Sequence, residues 1–262
     1  MHSDESVLWE RLAQSRRAPL EPSWLGEIYS PSLSIDLRRA ICEKLGMLAE
    51  RGWPIIQLLL EKHGLEPDLV MAAGLCHQPE SRDWLVQQLH SGEQHDDYLQ
   101  LSLVQALSCW GADVPQNIVM DCLNHPAQQQ RLAGLQLLIF RAYTLEDQSL
   151  LDLCEPALQD FRDPVVIAAI RLLQRRDGAA IAKRLSELSE TGSDSISDAA
   201  IRALGCIGTS TSQRCLLEIS QSLTNEKRRK MARKWQKNVF FQPELYRKWD
   251  IFGKADAFFF KI

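Results

Sequence analysis

The sequence predicts an all-α protein, an α-α superhelix in which about six helical hairpins stack as a right-handed solenoid. Apolar anchor residues recur at intervals of 30 to 35 residues, which is the length of one hairpin. Within each interval the apolar residues follow helical spacing, and no segment shows the sustained alternation of a β-strand. The aligned anchors are Leu45, Leu75, Leu107, Leu137, Leu172 and Leu204.

The first 32 residues lack this pattern. They contain Trp9, Pro19, Pro22 and Trp24 without repeated apolar spacing. Because a hairpin cannot bury its apolar face alone, the outermost one needs a cover. We therefore expect residues 1–32 to form an N-terminal cap and residues 33–224 to form the repeats.

The clearest copy of the repeat is DAAIRALGCIGTSTSQRCLLEIS, residues 198–220. Its apolar spacing predicts two amphipathic helices separated by a turn. We expect Gly205 and Gly208 to end the first helix and the Thr-Ser run to begin the second. The first stripe is Ile196, Ala199, Ala200, Ala203, Leu204 and Ile207, and the second is Gln213, Cys215, Leu216, Ile219 and Leu223.

Residues 225–262 differ from the repeats and are predicted to form a basic and aromatic C-terminal cap or docking tail. Seven of the eleven residues from Lys227 to Lys237 are Lys or Arg. Three interpretations stay open: a helix from about Asn225 to Lys237 that covers the last repeat, a docking surface for a protein, or a surface for nucleic acid or lipid headgroups. The predicted partner-binding residues are Trp235, Phe240, Phe241, Tyr246, Arg247, Trp249, Phe252, Lys227, Arg228, Arg229 and Lys230.

Charge and composition limit the function classes. The formal net charge is −4, although the segment from Glu226 to Lys248 carries nine basic and two acidic residues. Phosphate contacts along most of the chain are therefore not expected, which argues against a nucleic-acid partner. No apolar run predicts a transmembrane segment, and the N-terminus lacks a secretory signal. The seven cysteines include no C-x-x-C pair, so we expect reduced thiols in a cytoplasmic protein.

The segment AAIRALGCIG, residues 199–208, resembles the short HEAT-like repeat of the family that includes cyanobacterial phycobilin lyase subunits. The other units between residues 33 and 223 resemble it more loosely. The resemblance implies a scaffold, adaptor or assembly factor. For a lyase subunit it also implies a bilin held by carboxylates and aromatic rings, with candidates Asp96, Asp97, Asp163, Asp194, Asp198 and Tyr98. Asp163 and Asp194 are also placed to act as helix N-caps.

No pattern in the sequence predicts a catalytic centre. The His-Glu dipeptides of deoxyhypusine hydroxylase, an iron enzyme built on HEAT-like repeats, do not occur here. A nucleophile elbow and a Gly-rich phosphate loop are also missing from the sequence. Cys76 and the histidines that follow it match no metal-ligand spacing. Trp110 and Asp113 could belong to a HEAT-like DNA glycosylase groove, but helical spacing predicts Trp110 as a core residue.

These observations together predict a non-catalytic HEAT-repeat scaffold, adaptor or assembly factor. It would bind a partner protein on its concave face and at its C-terminal end, and it requires no cofactor. Two alternatives stay open: a chromophore chaperone subunit similar to the phycobilin lyases, and a HEAT-like DNA glycosylase.

Overall fold

A computed structural model describes residues 5–16, 18–91, 96–222 and 224–239. Within these residues every regular element is a helix and none is a strand. The predicted all-α fold class is therefore confirmed. None of the helices described is long and apolar enough to cross a lipid bilayer.

The chain divides into two compact units. Unit 1 comprises Met1–Cys122 and Gln136–Arg141, and unit 2 comprises Leu123–Leu135 and Ala142–Ile262. The α-helices of unit 1 are α1 (Glu5–Ala13), α2 (Pro22–Ile28), α3 (Ile35–Met47), α4 (Trp53–His63), α5 (Pro67–Leu75), α6 (Pro79–His90) and α7 (Asp97–Leu107). Short 3-10 helices cover Gln14–Arg16, Ala49–Arg51 and Ser108–Asp113.

Two further helices contribute residues to both units. They are α8 (Gln116–Asn124) and α9 (Gln128–Arg141). The helices that lie wholly in unit 2 are α10 (Asp147–Leu158), α11 (Asp163–Leu173), α12 (Ala179–Thr191), α13 (Asp194–Ile207), α14 (Ser210–Ser222) and α15 (Glu226–Val239). Among the residues described, α3 to α14 therefore form six consecutive pairs, which is the predicted number of hairpins.

First helices stack on first helices in both units, and second helices stack on second helices in unit 2. In unit 1, α5 packs against both α3 and α7. In unit 2, α13 packs against both α11 and α15, while α12 packs against α10 and α14. Within each unit, neighbouring hairpins thus bury apolar faces against one another, as repeat architectures require.

The segment before the repeats is also helical. Helix α1 packs against α3, and α2 packs against α3 and α4. Leu12 and Leu25 are buried in these contacts with the rest of unit 1. The boundary of the N-terminal cap at residue 32 stays a prediction.

Five of the six predicted anchors are buried: Leu45, Leu107, Leu137, Leu172 and Leu204. The prediction for Leu75 is wrong, because this side chain is 36% exposed. Leu75 is the last residue of α5, and the close contact with α7, the first helix of the next hairpin, is made by Gly74. A Cβ atom at Gly74 would lie 2.3 Å from the carbonyl oxygen of Ala106, so only glycine fits there.

The clearest repeat copy forms α13 and α14, but only one of its two glycines ends a helix. Gly208 follows α13 with φ 69° and ψ 7°, the left-handed conformation that favours glycine at a helix C-terminus. Gly205 lies inside α13 and is buried, so its prediction as a helix terminator is wrong. Thr209 begins the second helix, since its hydroxyl accepts a hydrogen bond from the backbone N–H of Ser212 at 3.3 Å.

The prediction of Asp163 and Asp194 as helix N-caps is wrong, because each lies one residue past the N-cap of its helix, Arg162 or Ser193. Each is the first residue of its helix, α11 or α13. The N-cap of α13 is Ser193, whose hydroxyl accepts a hydrogen bond from the backbone N–H of Ile196. Both aspartates are therefore free to bond other side chains, and both carboxylates do so in unit 2.

Candidate protein-binding surface

Helix α15 holds all the predicted partner-binding residues that the structure describes. It runs over Glu226–Val239, close to the predicted range. The side-chain oxygen of Asn225 accepts hydrogen bonds from the backbone N–H groups of Lys227 at 3.0 Å and Arg228 at 3.3 Å. This cap satisfies two donors that would otherwise be left open at the start of the helix.

One face of α15 packs against α13 and α14. Its residues Arg228, Ala232 and Trp235 follow the i, i+4, i+7 spacing of a single helical stripe, and Ala232 is fully buried. Trp235 lies directly over Gly205, where a Cβ atom would be 2.6 Å from Cε3 of the indole ring. The glycine thus lets the two helices approach closely enough for the ring to cover α13.

Ion pairs strengthen the attachment of α15. The Arg228 guanidinium donates a hydrogen bond to the Asp194 carboxylate at 2.5 Å, and the Arg228 side chain is only 13% exposed. Lys227 lies 3.9 Å from Asp198. Trp235 and Arg228, both predicted as partner contacts, are thus engaged in contacts within unit 2.

The opposite face of α15 is basic and exposed. Lys227, Lys230, Arg233 and Lys234 are all exposed, and Arg229 is half-buried. Lys230 is paired with Glu226 one turn earlier at 2.8 Å. The remaining predicted contacts, Phe240, Phe241, Tyr246, Arg247, Trp249 and Phe252, lie outside the residues described.

Four of the five carboxylates proposed for a bilin are bonded within their own units, and the fifth, Asp97, is exposed at the start of α7. In unit 1, Asp96 is the N-cap of α7 and accepts a hydrogen bond from the backbone N–H of Leu99 at 2.7 Å. In unit 2, Asp163 accepts hydrogen bonds from the hydroxyls of Ser193 and Ser195, and these bonds lower the pKa of its carboxyl. Asp194 and Asp198 contact α15, as described above. The phenol ring of Tyr98 is exposed.

Cys76, His77 and Trp110, which were considered for a metal site or for a DNA glycosylase groove, are buried or packed against other side chains. Trp110 is buried, as its spacing predicted, and the His77 ring stacks on it with 4.3 Å between ring centroids. Cys76 is also buried, and burial raises the pKa of its thiol to about 12. Among the residues that the structure describes, no three His, Cys, Asp or Glu side chains form a group that could hold a metal ion.

Sequence reasoning did not identify Phe161, which is the most exposed large apolar residue among those described, at 88%. It lies in the short connection between α10 and α11. The neighbouring Asp160 carboxylate is 1% exposed and is paired with Arg131 at 2.7 Å and Arg162 at 2.8 Å. The Arg162 guanidinium lies 4.8 Å from the centre of the Phe161 ring. The sequence DFRDP gives a weak signal, since Phe161 directly precedes the Arg-Asp-Pro start of α11 and lies outside the apolar spacing of that helix.

Comparisons with known proteins yield structural similarity alone. No family model matches the chain, and no curated protein matches it in sequence. Human deoxyhypusine hydroxylase in complex with glycerol is 14% identical with a TM-score of 0.38, covering 91% of this chain and 90% of that one. An engineered protein is 14% identical with a TM-score of 0.40, covering 84% of this chain and 97% of that one. A designed armadillo repeat protein is 15% identical with a TM-score of 0.37, covering 84% of this chain and all of the other, 100%. The all-α fold class follows from the helices of this chain itself.

Proposed function

We propose that this protein is a non-catalytic adaptor of stacked helical hairpins, and that it binds a partner protein through an acidic segment laid along the exposed basic face of α15. The observation that carries the proposal is the division of α15 into two faces. One face is fixed to α13 by Trp235 and Arg228, and the other presents cations that the packing does not use.

Arg233 and Lys234 are the centre of this surface. Neither forms an ion pair with any residue that the structure describes, and both are exposed. Because the opposite face is packed, the backbone beneath these cations is fixed before binding, so little ordering entropy is lost when a partner docks. Complementary charge then mainly raises the association rate and selects acidic partners.

The aromatic residues beyond α15 belong to the same proposal. Trp249 and Phe252, with Arg247, are proposed to act as anchors for the partner, since aromatic and arginine side chains dominate interface energetics. Replacing the three together should abolish partner binding while thermal melting is unchanged. A lower melting temperature would instead identify them as a structural cap.

A defined peptide tests the basic face directly. The full-length protein is titrated into a fluorescein-labelled Glu-rich peptide, and binding is followed by anisotropy at low and physiological salt. We expect binding that weakens with salt and is lost in Arg233→Glu/Lys234→Glu. The matched control is Lys62→Glu/Arg175→Glu, which changes the net charge equally at exposed positions outside α15.

Equal loss in both double variants would show that net charge alone, and not this surface, accounts for the binding. A duplex DNA of equal charge serves as the competing ligand. Tighter salt-dependent binding of DNA than of the peptide would replace the protein partner with a nucleic acid.

The chromophore-chaperone alternative stays a prediction. It is tested by mixing the protein with a linear tetrapyrrole and measuring its absorbance. A red-shifted band would favour this function over the adaptor.

A further inference from the structure

A shallow depression of 640 Å³ opens between the second helices α12 and α14 of unit 2. It lies beside α14, and α14 packs against α12 as well as against α15. The residues lining it are Ala179, Ala180, Lys183, Thr211, Arg214, Cys215 and Glu218.

Two cations at this depression are not neutralised. Lys183 and Arg214 are exposed, and neither forms an ion pair with any residue that the structure describes. Arg214 and Glu218 are one helical turn apart, a spacing that permits a pair, yet no ion pair joins them within the described part of unit 2.

The arginines of unit 2 fall into two groups. Arg184 lies next to Lys183 in α12 and pairs with Glu155 of α10 at 2.7 Å, and Arg176 pairs with Asp147 at 2.6 Å. Arg171 and Arg175 are exposed and, like Arg214, form no ion pair within the described part of unit 2. Lys183 and Arg214 differ from them because both line the same depression.

The remaining lining residues are small. Ala179 and Ala180 are exposed and extend no further than Cβ, and Cys215 is buried beneath them. Burial raises the pKa of the Cys215 thiol, so this side chain adds no negative charge. An extended peptide can therefore approach the helix backbones closely between the two cations.

The geometry points to a binding site for one acidic side chain of the partner segment, with its carboxylate held between Lys183 and Arg214. This inference rests on the proposed function, because it names the second contact of the same acidic segment. The occupant is an Asp or Glu side chain of a protein. The net positive lining favours a carboxylate, and the alanines leave room for the peptide backbone.

The test uses the full-length protein with the Glu-rich peptide and with an otherwise identical Gln-containing peptide. We expect Lys183→Ala/Arg214→Ala to weaken binding of the Glu peptide by about 2- to 30-fold, the range for two exposed ion pairs. The Gln peptide should bind the variant and the wild type equally weakly. Arg171→Ala/Arg175→Ala, also at exposed positions of unit 2, is the matched control and should bind like the wild type.

Amide hydrogen exchange locates the contact. Addition of the Glu peptide should slow exchange in residues 179–183 and 211–215. Unchanged affinity in Lys183→Ala/Arg214→Ala, with protection confined to α15, would overturn this site while leaving the proposed function intact. Failure of the wild type to bind the peptide at all would overturn both. Free glutamate that competes at the concentration of the peptide would show a small-molecule site instead of a peptide site.

Discussion

Gly205→Ala should loosen α15 even though alanine is the better helix former. Gly205 lies inside α13, where exchange for alanine normally gains about 1 kcal/mol of helix propensity. Here the added methyl group would lie 2.6 Å from Cε3, 2.8 Å from Cδ2 and 2.9 Å from Cβ of Trp235. Rotation of the ring alone cannot relieve a contact that includes Cβ, so α15 has to shift away from α13.

The two effects can be compared. Overpacking of a well-packed contact costs about 1–3 kcal/mol, and a middle value of about 2 kcal/mol exceeds the propensity gain of about 1 kcal/mol. We expect the free energy of opening α15 to fall by about 2 kcal/mol, because α13 keeps its propensity gain when α15 opens. The free energy of unfolding that includes α13 should fall by about 1 kcal/mol. Because the chain has two units, amide hydrogen exchange of residues 226–239 is the appropriate assay, with urea unfolding followed by circular dichroism as support.

A double-mutant cycle tests whether the Trp235 side chain opposes a methyl group at position 205. In a Trp235→Ala background the two ring contacts are removed and only the contact with Cβ at 2.9 Å is left, so the overpacking cost of Gly205→Ala should fall below its propensity gain of about 1 kcal/mol. The coupling between the two substitutions should therefore be about 1–2 kcal/mol. Stabilisation by Gly205→Ala in the wild-type background would show that Trp235 does not cover Gly205.

Three other predictions concern polar and thiol groups. Hydrogen bonds from Arg162, and the charge of Arg131, lower the pKa of the Asp160 carboxyl in the folded protein. The ion pairs of Asp160 therefore stabilise the fold fully above the pKa that this carboxyl has in the unfolded chain, and this stabilisation is lost as the pH falls through its pKa in the folded protein. Asp160→Asn should cost about 3 kcal/mol at pH 7 in urea unfolding, and the cost should shrink at acid pH; an equal cost at pH 3 would contradict the pairing. Tyr29→Phe should leave thermal stability unchanged or raise it by about 1 kcal/mol, because the buried Tyr29 hydroxyl has no hydrogen-bond partner among the residues described; a clear loss would reveal a bound partner. Cys206 is the exposed thiol and should be the first to react with a thiol reagent in the native protein, with the buried cysteines reacting after unfolding; rapid reaction of several thiols would contradict their burial.

The spacing of apolar residues along the sequence was enough to predict the repeated helices. It did not predict which residues make the contacts between helices of different hairpins. The spacing of Leu172 and Leu204 marked buried helix faces correctly, because amphipathicity is a property of neighbouring residues. The same alignment chose Leu75, which is 36% exposed, because α5 ends at that residue and Gly74 makes the contact with α7. Gly208 was identified as a helix end from sequence, whereas the packing role of Gly205 depends on Trp235, thirty residues later in the chain.

The candidate site was only partly visible in the sequence. The basic run of α15 stands out by composition, but its division into Arg228, which is paired, and Arg233, which is not, depends on where α13 places Asp194. The positive pair at the depression was not visible either, because Lys183 and Arg214 belong to different hairpins and look like ordinary surface residues in sequence.

The sequence by itself determined that this protein is built from helical hairpins, how many there are, and that its last helix is strongly basic. Helix formation, amphipathic spacing and charge are decided by residues within a few turns of one another. Tertiary structure alone decided which glycine allows close packing, which cations are neutralised and which aromatic residue stays exposed. Those outcomes depend on contacts between residues about thirty positions apart, and each contact is fixed only when one hairpin stacks on the next.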